Sequence, residues 1–143
     1  MTNPRNGVAT VAERVTDAMH LLLAAVRTGD IDSVSDLLKG WCGPDSSKDY
    51  VGLVSALVGE GGRKIREVEP VTADAAFVLE VHSEGVELDI DAVDPPVRAA
   101  LRAQLAWLND DFDDVDFQIK MVADAGDCGD RMAMLVNTLV WAV

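Results

Sequence analysis

The sequence predicts an α+β fold, in which an N-terminal helical hairpin and a third helix are followed by a small antiparallel sheet and two C-terminal helices. Apolar residues recur at steps of three and four in the first part of the chain, which is the period of a helix with one buried face. Residues 77–91 instead alternate between apolar and polar side chains, which is typical of strands. An all-α bundle is the alternative, because the segment 112–123 fits both periods. The 143 residues are expected to form a single domain, residues 1–143, with a flexible N-terminus over residues 1–7.

The N-terminal helix is predicted over residues 8–27. The apolar positions on its buried side are Val8, Val11, Val15, Ala18, Leu22 and Ala25. Gly29 then lies where a helix C-terminus places glycine, and Asp30 can cap a second helix over residues 31–39. Because the connection is so short, these two helices are expected to form an antiparallel hairpin.

A third helix is predicted over residues 47–58, because the glycine-rich run 59–62 is expected to end it. Two alternating runs follow, over residues 77–82 and 86–91, and the three residues between them end in Gly85. This pattern predicts a β-hairpin with a bulged turn, which would form the core of the small sheet.

Residues 63–71 are a candidate further strand of the same sheet, although their alternation is poor. Asp94 is followed by two prolines, which predicts the start of a helix that runs to Leu108. Residues 112–123 alternate strictly in part but also fit a helix, so both interpretations stay open. The final helix, residues 131–143, is apolar on nearly all sides, which is typical of a helix in the core or in a subunit interface.

The composition is that of a folded protein, since 49% of the residues are hydrophobic. No apolar run reaches the roughly 18–20 residues that a membrane-spanning helix needs, and the polar N-terminus is unlike a signal peptide. We therefore expect a soluble cytoplasmic protein that does not bind membranes and that keeps Cys42 and Cys128 as reduced thiols.

The net charge of −13 is distributed unevenly along the chain. Residues 1–66 carry eight acidic and eight basic residues, whereas residues 67–143 carry 17 acidic and four basic residues. An acidic surface of this kind repels nucleic acid and attracts basic proteins. The alternative interpretation is that the charge only keeps a small domain soluble.

The densest group of charges is an aspartate cluster, which we define as Asp110, Asp111, Asp113, Asp114 and Asp116. These five residues are the candidate partner-binding residues. Carboxylates also bind Mg²⁺ and Ca²⁺, and Asp110, Asp111 and Asp114 have the DDxxD spacing that some prenyl-diphosphate enzymes use for Mg²⁺. No second metal motif and no EF-hand glycine accompany them, so no metal ion is assigned to the cluster. A solvated loop is the third interpretation.

A second candidate site consists of Gly61, Gly62, Arg63 and Lys64, where a glycine-rich turn is followed by cations. Backbone N–H groups in such a turn can hold a phosphate, with the two cations beside it. The spacing is not that of a P-loop, and a helix C-terminus with favourably placed cations explains the same residues.

The remaining residues show no known catalytic pattern. His20, Cys42, His82 and Cys128 lack metal-ligand spacing, no motif for acyl transfer is present, and no cofactor is predicted.

The sequence therefore favours a small non-enzymatic interaction or regulatory protein, whose acidic C-terminal half binds a basic protein partner and not nucleic acid. Its apolar C-terminal helix is expected to mediate homo-oligomerisation, such as a homodimer. Two alternatives remain: a divalent-metal-dependent hydrolase or transferase that uses the segment 110–116, and a small-molecule-binding α+β module.

Overall fold

The computed structural model of the protein describes residues 10–42, 47–68, 81–83 and 86–143. Within these residues the chain forms six α-helices, one short β-hairpin and one 3₁₀ turn. The helices are α1 (Val11–Thr28), α2 (Ile31–Trp41), α3 (Ser47–Val68), α4 (Pro95–Leu108), α5 (Phe112–Ala125) and α6 (Cys128–Ala142).

The predicted α+β class is wrong, because the structure is a helical bundle. A hairpin does lie at the predicted place, but its strands β1 (Val81–Ser83) and β2 (Val86–Leu88) have only three residues each. In the described part of the chain these two antiparallel strands make up the whole sheet. Such a hairpin gives the helices no sheet layer to cover, so the core is built from helix–helix contacts and the all-α alternative fits.

The predicted N-terminal helical hairpin is confirmed, including the residues that end one helix and start the next. Gly29 has a left-handed φ of 75°, and its N–H donates to the carbonyl of Val26 over 3.1 Å. The carboxylate of Asp30 accepts from the backbone N–H of Ser33 at 3.2 Å and from its hydroxyl at 2.6 Å. The chain therefore reverses over two residues, and α1 packs against both α2 and α3.

The third helix does not end at Val58, as the sequence predicts, but continues through the glycine-rich run to Val68. Glycine disfavours a helix by up to about 1 kcal/mol per residue, so local propensity alone predicts a stop here. The reason for the difference is that Gly59, Gly61 and Gly62 are buried against other helices. A methyl group at Gly62 would lie 2.1 Å from Cε3 of Trp107. Gly62 therefore allows a close approach that a side chain would prevent.

The same glycines face two helices. A methyl group at Gly61 would lie 3.0 Å from Oε1 of Gln104 on α4 and 3.2 Å from Cβ of Trp141 on α6, and one at Gly59 would lie 3.5 Å from Nε1 of Trp107. We call Gly59, Gly61 and Gly62 the glycine face of α3. The backbone of α3 forms the surface against which α4 and α6 pack at this point.

Residues 63–68, predicted as part of a strand, are the last turns of α3, and residues 69–71 lie outside the described residues. Arg66 in this turn holds α3 to the end of α4. Its guanidinium lies 4.7 Å from the ring centroid of Trp107, and its Nη2 donates to the carbonyl of Leu108 over 2.9 Å.

The C-terminal part contains three helices instead of the predicted two. Asp94 is the N-cap residue of α4, as predicted, although its side chain makes no capping hydrogen bond. Residues 112–125 form α5, so the strand interpretation of this segment is wrong. The alternation misleads because Phe117 is 61% exposed and Met121 is 43% exposed, whereas Val115 and Ile119 are buried at the helical period.

The last helix, α6, contacts α2, α3, α4 and α5, and its most extensive contact is with α3. Its inner side consists of five buried residues: Met134, Leu135, Thr138, Leu139 and Ala142. The hydroxyl of buried Tyr50 donates to the carbonyl of Arg131 over 2.7 Å, which ties α3 to the start of α6. This position accounts for the apolar character of the helix that the sequence shows.

We expect Gly62→Ala to lower the free energy of unfolding by about 1–3 kcal/mol, although alanine favours a helix, because the added methyl group would overlap Trp107. Gly40→Ala is the matched control, since Gly40 lies near the end of α2 and a methyl group there meets no atom within 4 Å. It should raise stability by about 0.5 kcal/mol. Urea unfolding of the three proteins measures both effects, and equal stabilisation by both substitutions would contradict the glycine-face packing.

Candidate functional site

The aspartate cluster lies at the turn between α4 and α5, where its side chains have different partners. Asp110 accepts from Nη2 of Arg66 at 3.0 Å, and Asp111 caps α5 by accepting from the backbone N–H of Asp114 at 3.3 Å. One turn further along, Gln118 donates to the carboxylate of Asp114 over 3.3 Å. Much of the cluster therefore stabilises the turn and the first part of the helix.

Asp110 also has an unusual backbone conformation. Its φ is 61°, in the left-handed region that non-glycine residues seldom adopt, although aspartate tolerates it better than most. The ion pair with Arg66 and the hydrogen bond from the Asp110 N–H to the carbonyl of Trp107, 3.1 Å long, hold this residue in place. The first residue of the cluster thus belongs to the contact that joins α3 to α4.

These positions bear on the metal-dependent alternative. In the DDxxD spacing, the carboxylates of Asp110 and Asp111 turn to different partners, one to a guanidinium and one to the helix backbone. Among the residues that the structure describes, no three His, Cys, Asp or Glu side chains are grouped so that they could hold a metal ion. The arrangement supplies no metal centre for hydrolytic or transfer chemistry.

The second part of the cluster lies on the outward side of α5, beside two apolar side chains. We define the α5 outer face as the residues that line an open depression of about 440 Å³: Asp113, Asp116, Phe117, Lys120, Met121, Asp124 and Ala125. Phe117 and Met121 are one helical turn apart and form an exposed apolar ridge. Asp113 and Asp124 lie on the same side of α5 as this ridge, and Asp116 lies beside it.

The one cation of the α5 outer face is already paired with a carboxylate. The ammonium of Lys120 lies 2.7 Å from Oδ2 of Asp116. This hydrogen bond, with a smaller contribution from the charge of Asp124, raises the pKa of Lys120. The surface therefore presents more negative than positive charge around an apolar centre, and it can accept a ligand with the opposite arrangement of charges.

The predicted phosphate-binding residues are placed inside a helix and not in a turn. The backbone N–H groups of Gly61 and Gly62 belong to the hydrogen-bonding pattern of α3, and both residues are buried. Arg63 forms an ion pair with Glu60, whose pKa is lowered mainly by that hydrogen bond, and Lys64 is half-buried. The glycine-rich turn that would cradle a phosphate is absent from this part of the structure.

His20 is exposed on α1, and the side chain of His82 lies outside the described residues. On α6, the exposed apolar residues are Val136, Val140 and Val143, and self-association through this helix stays a prediction. Within the described part of the chain, no helix has the length and hydropathy that crossing a bilayer would require.

Sequence reasoning finds the aspartates of this region but misses Phe117 and Met121. As members of an alternating run, both would lie on the buried side of a strand together with Val115 and Ile119. If residues 112–125 are interpreted as a helix, Phe117 and Met121 instead lie on the same side as Asp113 and Asp124. The helical period was therefore the signal that could have identified the α5 outer face.

Comparison with known proteins adds no relative to this description, since no family model, no curated protein and no solved structure matches the chain.

Substitutions of two neighbouring aspartates test which members of the cluster stabilise the fold and which are only exposed on the surface. Asp111→Ala should lower the free energy of unfolding by about 1 kcal/mol, because α5 loses its N-cap. Asp113→Ala removes the same charge from an exposed position and should change stability by about 0.5 kcal/mol or less. Urea unfolding at constant ionic strength measures both values, and equal losses would show that the Asp111 cap has no special role.

Proposed function

We propose that this protein is a non-enzymatic interaction protein whose α5 outer face binds a basic, amphipathic segment of a partner protein. The observation that carries the proposal is the exposed pair Phe117 and Met121 with the carboxylates of Asp113, Asp116 and Asp124 beside it. An apolar centre inside a charged rim is the arrangement that protein interfaces use for affinity and for orientation.

The apolar ridge accounts for affinity. Burying a side chain of this size from full exposure gives about 1.5–3 kcal/mol, and Phe117 and Met121 are each roughly half exposed. Docking on both therefore contributes about 2–3 kcal/mol, which is too little for tight binding without further contacts. The partner is thus expected to reach beyond the ridge and to engage the acidic rim.

The acidic rim accounts for the choice of partner. Carboxylates beside an apolar ridge favour a helix that carries Lys or Arg next to an apolar stripe. They attract such a segment over a distance set by ionic strength, and they repel nucleic acid. We place this interaction in the cytoplasm. The partner is defined here by its chemistry, as a protein with a cationic amphipathic helix.

The two alternative functions have weaker support. Within the described residues the aspartates offer no grouped metal ligands, so the hydrolase or transferase lacks a centre. A small pocket between α4, α5 and the start of α6, lined by Pro95, Pro96 and Val122 among others, measures about 220 Å³. Ligand pockets usually measure about 300–1,000 Å³, so this one is small for a substrate or cofactor. A depression of about 580 Å³ between α1 and α2 has the required size but is widely open to solvent.

Binding of a labelled peptide tests the proposal. The probe is a fluorescent helical peptide with a leucine stripe flanked by lysine and arginine, followed by anisotropy. Replacing Phe117 and Met121 by Ala should weaken binding about tenfold, equivalent to about 1.4 kcal/mol. Replacing Asp113, Asp116 and Asp124 by Asn should weaken it as well and should flatten its dependence on salt between about 50 and about 500 mM.

Matched controls distinguish binding at the α5 outer face from non-specific electrostatic and hydrophobic binding elsewhere on the protein. The apolar control replaces Leu21 and Ile31, which are exposed on α1 and α2, by Ala. The charge control replaces three exposed aspartates of the first two helices, Asp17, Asp32 and Asp36, by Asn. Both controls should bind the peptide like the unmodified protein, and a loss in the controls equal to the loss in the α5 variants would overturn the proposal.

A further inference from the structure

The two cysteines, which are far apart in sequence, lie together where α2 ends and α6 begins. Cys42 directly follows α2 and is fully buried, whereas Cys128 is the first residue of α6 and is exposed. Both are free thiols, and Cys128 lies one helical turn before Arg131, whose guanidinium contacts the Cys42 carbonyl. One thiol is therefore open to solvent and the other lies near it in the core.

Arg131 holds this arrangement in place. It lies one helical turn after Cys128, and its Nε donates to the carbonyl of Cys42 over 2.9 Å. Its Nη1 also donates to the carbonyl of Gly126 over 2.7 Å, which fixes the turn that precedes Cys128. The end of α2 and the start of α6 are thus joined through one guanidinium, which keeps the two cysteine residues near each other.

We propose that Cys42 and Cys128 form a dithiol site that reacts with low-molecular-weight disulfides and closes into a reversible disulfide between α2 and α6. This site shares no residue with the α5 outer face and does not depend on the binding function proposed for it.

The reaction proceeds in two exchange steps. The Cys128 thiol loses its proton to solvent, and its sulfur attacks one sulfur of the low-molecular-weight disulfide. The disulfide bond of the reagent breaks, a mixed disulfide forms on Cys128, and one thiolate leaves. The Cys42 thiol then loses its proton and attacks the Cys128 sulfur, so that the Cys42–Cys128 bond forms and the second thiolate leaves. The protein gives up two electrons, and the reagent is reduced to two thiols.

The different exposure of the two cysteines determines which of them reacts first. Cys128 meets the reagent first because it is exposed, and Cys42 is shielded by the core. Burial is also the main cause that raises the pKa of the Cys42 thiol to about 11, and Arg131 opposes this shift. Cys42 is therefore protonated at neutral pH and reacts only with a sulfur held beside it.

Mass spectrometry of the intact native protein after incubation with oxidised glutathione tests the site. The wild-type protein should lose the mass of two hydrogen atoms, its peptide map should show a Cys42–Cys128 link, and dithiothreitol should reverse the change. Cys42→Ala should instead accumulate one glutathionyl group on Cys128. Cys128→Ser should not react, because the remaining thiol is buried.

Each outcome of the mass-spectrometry experiment either supports or overturns the proposed dithiol site. Cys128→Ser alters only an exposed side chain, so it keeps the test valid even if Cys42→Ala fails to fold. A wild-type protein that carries glutathione on Cys128 without closing, that links two chains, or that does not react at all would overturn the proposal. Peptide binding by the α5 outer face is measured separately, so failure here leaves that function intact.

Discussion

The indole of Trp107 packs against the part of α3 that has no side chains, and the arrangement of the bundle depends on this contact. Gly62 gives the closest approach, since a methyl group there would lie 2.1 Å from the ring. Arg66, one turn later, lies over the same ring at 4.7 Å and donates to the carbonyl of Leu108. Gly62 and Arg66 of α3 thereby fix the position and the end of α4, and α6 packs on the neighbouring Gly61.

This contact also sets the direction of the acidic surface. Arg66 reaches past Trp107 to Asp110, which holds a left-handed φ of 61° at the turn into α5. The Phe112 ring at the start of α5 meets Trp107 edge-on, with centroids 6.3 Å apart. With its first turn held in this way, α5 buries Val115 and presents the α5 outer face to solvent. The proposed docking surface therefore rests on packing that begins at the glycines of α3.

Local signals predict the ends of several helices, but contacts between distant residues decide the rest. Gly29 and Asp30 predict the first hairpin because capping involves only neighbours in sequence. The glycine run 59–62 predicts a helix stop, and nothing nearby reveals that Trp107 occupies the space the glycines leave. The α+β prediction failed because, in the described residues, the alternating run 77–91 forms only two strands of three residues each, and the two periods of residues 112–123 hid Phe117. The aspartates of the site were visible from composition, whereas their partners are set by the fold.

A double-mutant cycle between Gly62→Ala and Trp107→Leu tests most directly whether this contact organises the bundle. Free energies of unfolding for the four proteins come from urea titrations followed by circular dichroism. With Trp107 present, the added methyl group should destabilise the protein. With leucine in its place, the methyl group should be neutral or stabilising, which gives a coupling energy above about 1 kcal/mol. The same change in stability in both backgrounds would contradict the account, because α3 would then tolerate or reject the methyl group for reasons unrelated to Trp107.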